Sequence, residues 1–101
     1  MIVTIGHLRM PADQLAAIQE DLNKAVGAAR AQDGCISYAF AVDMEDPSIM
    51  RVSEVWRDMD AIKAHMAKPH FAELAKVLGG VDVTEQVVNL YPAETAIPFG
   101  G

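Results

Sequence analysis

The apolar positions of the chain change period several times, and each change marks an element. "MIVTIGHLRM" opens on β-branched residues, Ile2 to Ile5, which predict a strand continuing to Arg9. Pro11 suits the first turn of a helix, and Asp13 complements the positive end of its dipole. Leu15, Ile18, Leu22, Val26 and Ala29 then recur in steps of three and four, the apolar stripe of one amphipathic helix. Gln19, Glu20, Asn23, Lys24 and Arg30 occupy its other face. Asp33-Gly34 ends it, with Gly able to adopt the left-handed C-terminal cap.

From Cys35 the period drops to two. Ile36, Tyr38, Phe40 and Val42 are predicted on one face of a strand, and the small residues Cys35, Ser37, Ala39 and Ala41 on the other. "MEDPS" is a turn. "IMRVSEVW" places Met50, Val52, Glu54 and Trp56 on one face, against Ile49, Arg51, Ser53 and Val55. Asp58 is placed to cap a short helix with the stripe Met59, Ile62 and Met66. Pro69 cannot continue that helix but can start another, whose stripe is Phe71, Leu74, Ala75 and Leu78, closed by Gly79-Gly80. "VDVTEQVVNLY" reads as the last strand. Residues 92–101 read as an irregular tail with Ile97 and Phe99 as its apolar anchors.

The order β-α-β-β-α-β predicts one α+β domain over residues 1–101, of the ferredoxin-like kind: a four-stranded antiparallel sheet with both helical segments on one face. The other face carries too many apolar or small residues to stand in water, and a second copy of the chain would cover it.

Composition sharpens this picture. Hydrophobic residues make up 51% of a 101-residue chain, an excess for which an oligomer interface is the natural home. A net charge of −6 and eight scattered Lys and Arg exclude the basic face needed by nucleic acid or an acidic membrane surface. The lone Cys35 rules out a disulfide within the chain and a multi-cysteine zinc site. No leader pattern opens the sequence and no stretch is long enough to span a bilayer, so a cytoplasmic location is expected.

The segments "DGCISYAFAVDMEDPSIMRVSEVW" and "AIKAHMAKPHF" carry a resemblance to the antibiotic biosynthesis monooxygenase family. The matching features are Gly34-Cys35 with Tyr38, the Asp46-Pro47 turn, Glu54-Val55-Trp56, and Ala64-His65 followed by Pro69-His70-Phe71. The resemblance implies a dimeric α/β barrel, two sheets packed face to face, with a pocket between each sheet and its helices. It also implies oxidation of a phenol, quinol or anthrone by molecular oxygen without flavin, haem or metal. Other members degrade haem or isomerise small phosphorylated sugars, so the fold does not settle the chemistry. Anthrone-oxidising members carry an Asn where this chain has Val52, a Tyr at Ile62, and an Arg near Lys76; haem-degrading members carry a His at Ala75.

Each candidate residue has a functional and a structural reading. Trp56 would wall the pocket and stack on a planar substrate with its N–H free, or fill the core. His65 and His70 would take a phenolic proton as neutral imidazoles, or pack locally at the helix break. Five residues apart across a proline, they make a poor metal pair, so no metal is expected. His7 would face the same cavity through strand alternation, or sit at an interface. Tyr38, Ile62, Met66 and Phe71 would line the pocket. Glu54 reads first as a buried interface hydrogen bond and second as a catalytic carboxylate. An isomerase or lyase using the same histidines, and a non-catalytic binding dimer, remain the alternative functions.

Overall fold

The computed structural model describes residues 1–100. The elements are β1 (Ile2–Arg9), α1 (Ala12–Ala17), α2 (Gln19–Arg30), β2 (Cys35–Val42), β3 (Ile49–Trp56), α3 (Met59–Met66), α4 (Pro69–Gly79) and β4 (Glu85–Pro92). The strands form one antiparallel sheet in the order β2-β3-β1-β4, with the two ends of the ferredoxin-like chain path at its centre and edge. Both helical segments cover the same face, as the element order predicts.

That face is apolar by alternation. Ile2, Thr4 and Leu8 on β1 stand opposite Trp56, Glu54 and Met50 on β3, and all six are buried. Leu15, Leu22 and Leu74 close one half of the core over Leu8, Met50 and Val52. Val26, Ala29, Ala61 and Ile62 close the other half over Ile2, Tyr38 and Trp56.

Two local departures alter the expected picture. The first helix is broken: Ile18 has φ −101° and ψ 10°, and its N–H turns back to the Leu15 carbonyl at 3.3 Å. No Gly or Pro marks the break. It lets Leu15, Ile18 and Leu22 all pack on one core cluster while the chain enters from Pro11. The second departure is a bulge in β2. Cys35 stands opposite Trp56 and Ser37 opposite Val55, so Ile36 is the extra residue and is 61% exposed. Cys35 therefore packs on the helix side with Tyr38 and Phe40, instead of on the face with Ser37 and Ala39.

The Asp58 and Pro69 signals behave as read, whereas Pro11 precedes the first helical turn as its N-cap and the second helix is capped by Ala31, three residues before Gly34. Asp58 Oδ1 accepts the Ala61 N–H at 2.8 Å, and Pro69 occupies the first turn of α4. Gly34 takes φ 84°, and its carbonyl accepts the Arg57 N–H at 2.8 Å, fixing the end of β3 against the start of β2. The helix-free face carries Val3, Ile5 and His7 of β1, Ser53 and Val55 of β3, and Val87, Asn89 and Tyr91 of β4. Ile5, Val87 and Tyr91 are exposed. Ile97 and Phe99, expected to anchor the tail, are almost fully exposed and touch no core of their own chain.

Candidate functional site

A cavity of about 440 Å³ lies between the helix-side face of the sheet and α4. β2 contributes Tyr38 and Phe40, β3 contributes Met50, Val52 and Glu54, and β4 contributes Gln86 and Val88. α4 supplies Phe71, Leu74, Ala75 and Leu78, the stripe that the sequence places on one side of that helix. The walls are aliphatic and aromatic, with few polar groups among them, which is the usual character of a small-molecule site.

Glu54 is the charged residue of this lining and is 8% exposed. Its Oε1 accepts the indole N–H of Trp56 at 2.8 Å. Burial pushes its carboxyl above the usual range, and the Trp56 hydrogen bond opposes that shift. Tyr38 and Thr4 stand opposite Glu54 on the two neighbouring strands. Burial, then the Glu54 charge, drives the Tyr38 phenol up.

Behind the lining lies an aromatic layer. Trp56 is fully buried, and its ring centroid is 4.6 Å from that of His65 and 6.2 Å from that of Tyr38. The His65 ring lies edge-on to Phe71, centroids 5.2 Å apart. One side-chain oxygen, Gln32 Oε1, accepts from both His65 Nδ1 at 2.7 Å and His70 Nε2 at 2.9 Å. Each ring therefore carries its proton on the nitrogen facing Gln32. Burial, and secondarily the nearness of His70, pulls His65 down to about 4.

A profile of the antibiotic biosynthesis monooxygenases matches residues 1–77, from β1 to most of α4. The chain belongs to the antibiotic biosynthesis monooxygenase family. A Deinococcus radiodurans structure assigned to this family is 28% identical, with a TM-score of 0.90 and complete coverage of both chains. A Nitrosomonas europaea structure with the same assignment shares the fold at 17% identity, TM-score 0.84, covering 92% of this chain and 98% of the other. The uncharacterized protein sll1783 of Synechocystis sp. is 28% identical over 75 residues, 74% of this chain. The chain spans about half the length of that curated relative, 51%.

This cavity gathers only some of the residues singled out from sequence. Tyr38 and Phe71 line the cavity. Trp56 and His65 sit one layer behind it, and the indole N–H, expected to be free for a substrate, is taken by Glu54. His65 is enclosed, 3% exposed, and its low pKa makes it a weak base, so it does not meet the expectation of a proton acceptor in contact with substrate. His70 lines a different depression on the outer side of α3, beside Gln32, Arg57 and Lys68. Ile62 is core packing against Trp56 and Tyr38, and Met66 is 46% exposed. His7 lies on the helix-free face, bonded to Glu85, because its register partners Arg51 and Val87 also point there.

Sequence reading missed Gln32 altogether. It lies in the helix-to-strand connection, where nothing marks it as the acceptor shared by two distant histidines. Among the described residues no three His, Cys, Asp or Glu side chains group as a metal-ligand set, and no helix is long and apolar enough to cross a membrane.

Proposed function

We propose that this protein oxygenates a small planar phenol, quinol or anthrone with molecular oxygen and without a cofactor. The observation that carries the reading is the cavity beside α4: an apolar slot floored by the sheet, with Glu54 and Tyr38 among its few polar groups. Such a slot takes a flat ring against Phe71 and Phe40 and meets its hydroxyl with a buried acceptor. Family membership supports an oxygenase over the other chemistries of the fold.

The reaction asks little of the protein beyond ionising the substrate, orienting it and excluding water. The phenolate passes one electron to oxygen, and the resulting radical and superoxide combine at a ring carbon bearing hydrogen. The peroxide formed loses water. One oxygen atom remains as a carbonyl and the other leaves as water with the ring hydrogen and the former hydroxyl proton, so no outside reductant is required. Trp56 and His65 back the cavity wall and hold its polar end in place.

The active form is a homodimer in this reading, with the helix-free face covered by a second copy. Exposed Ile5, Val87 and Tyr91 on an otherwise unscreened sheet support it. A binding dimer without turnover is the second reading, favoured by Val52 in the lining where anthrone-oxidising members carry Asn.

The test is oxygen uptake by chelator-treated protein with a panel of anthrones and quinols, beside Trp56→Phe and His65→Ala variants. Uptake above the spontaneous rate, lowered in both variants, is the expected result. Binding seen as Trp56 quenching without uptake would replace the oxygenase with the binding dimer.

A further inference from the structure

Glu54 is buried as though ion-paired, yet no cation pairs it among the described residues. Among the described residues no Lys, Arg or His forms a salt bridge or hydrogen bond with its carboxylate; its partner is the uncharged Trp56 N–H. A carboxylate kept only for packing would be better replaced by an uncharged residue, because burial of its charge is costly. A second polar atom is left over beside it. The Thr4 hydroxyl, on the register partner of Glu54, is buried with no hydrogen-bond partner, although Thr4 is only 3% exposed. A carboxylate at the floor of an apolar cavity, bonded among the described residues only to an uncharged indole N–H, is what a bound hydroxyl would complete.

We propose that Glu54 is the catalytic proton acceptor of this site, taking the hydroxyl proton of the bound phenol, and that Trp56 is the positioning residue that aims its carboxylate. This inference rests on the oxygenase reading and goes beyond it by naming the base. In the step, the substrate O–H bond breaks and its electron pair stays on the substrate oxygen. The proton goes to Glu54, leaving a neutral carboxylic acid and a phenolate. After oxygen adds, Glu54 returns the proton to the peroxide anion and is again a carboxylate. The hydroperoxide then loses the ring C–H proton with hydroxide, as water.

The surroundings suit that cycle. From α4 the cavity presents Phe71, Leu74 and Leu78, and from β1 Leu8, none of them titratable. The titratable neighbours are on β2, the Tyr38 phenol and the Cys35 thiol, both raised by burial first and by the Glu54 charge second. Both are therefore uncharged at neutral pH and do not compete as bases. His65 stands behind Trp56 and is neutral there.

The test compares the intact protein with Glu54→Gln and Glu54→Asp. Gln keeps an acceptor for the Trp56 N–H, so the fold is retained. Oxygen uptake with an anthrone is followed against pH, and binding is followed by Trp56 fluorescence. Glu54→Gln is expected to lower kcat about 100-fold with KM changed less than about threefold. Its rate should then recover roughly tenfold per pH unit toward the ionisation of the substrate itself, since a substrate already ionised needs no base. Asp should keep part of the activity. Unchanged kcat, or a loss with no recovery at high pH, overturns the assignment.

Absorbance of bound 4-nitrophenol separates this inference from the oxygenase reading. If wild type turns over none of the panel, that reading fails, but wild type should still hold part of the bound probe as phenolate below the pH at which the free probe ionises. Glu54→Gln should hold none. Identical spectra, or no binding of the probe by wild type, overturn the role of Glu54.

Discussion

The indole N–H of Trp56 and the carboxylate of Glu54, two residues apart on β3, form a 2.8 Å hydrogen bond inside the protein. Strand alternation puts both side chains on the helix face, so the bond is set by their spacing. Trp56→Phe removes the donor, leaves a buried acceptor bare and shrinks a fully buried side chain. A loss of about 2–4 kcal/mol in urea unfolding is expected. Glu54→Gln keeps the bond and removes the charge, so its stability at pH 7 should be no lower than that of wild type. The two variants moving in the same direction would refute this account of the pair.

Two groups of this same layer shape the pH dependence of stability, in opposite directions. His65 titrates near 4 when folded, against an ordinary 6.5. Between those values the unfolded chain binds a proton that the folded chain refuses, so stability falls as pH drops through that window. Glu54 acts in the opposite sense. Its raised pKa makes the folded chain hold a proton longer than the unfolded one, so stability falls as pH rises above 4.5 through the folded value. Urea midpoints measured from pH 4 to 8 should lose the fall on acidification below 6.5 in His65→Phe, and lose the fall that begins as pH rises above 4.5 in Glu54→Gln.

Two glycines are placed by contact and conformation. Gly34 has φ 84°, and a Cβ there would lie 2.6 Å from the Ala61 Cβ. Gly34→Ala should cost about 1–3 kcal/mol, read as a lowered thermal midpoint. A Cβ on Gly6 would run into the Val87 carbonyl of β4. Gly6→Ala should therefore part β1 from β4, and it should cost more than Gly34→Ala. Equal midpoints for the two variants would argue against this ranking.

The helix-free face offers a direct test of assembly. Lys in place of Ile5 and Val87 puts two charges on neighbouring central and edge strands of that face, two rows apart. In a face-to-face homodimer both become buried, and sedimentation should show a monomer where wild type shows a dimer. A monomeric wild type at micromolar concentration would remove the dimer from the proposed function.

Much of this architecture is determined by the sequence alone. The β-α-β-β-α-β order, the caps at Asp58 and Pro69, the turn at Gly34 and the faces of β1 and β3 all follow from periodicity and local backbone chemistry, which act over a few residues. So do the placement of the Phe71 and Leu74 stripe over the sheet and the family to which the chain belongs. What local pattern cannot convey is depth, register and who reaches whom. The bulge at Ile36 and the break at Ile18 carry no local mark, because each is settled by how neighbouring elements pack. Periodicity puts Trp56 and His65 on inward faces, but only the stacking of layers decides that they lie behind the cavity instead of in it. His7 alternates with Ile5 as expected, but β3 and β4 decide which side that is. Gln32 meets two histidines 33 and 38 residues away, and Glu54 is enclosed against an uncharged indole N–H, only once the chain has closed around them. Those are long-range outcomes of packing, and the chemistry of the site rests on them.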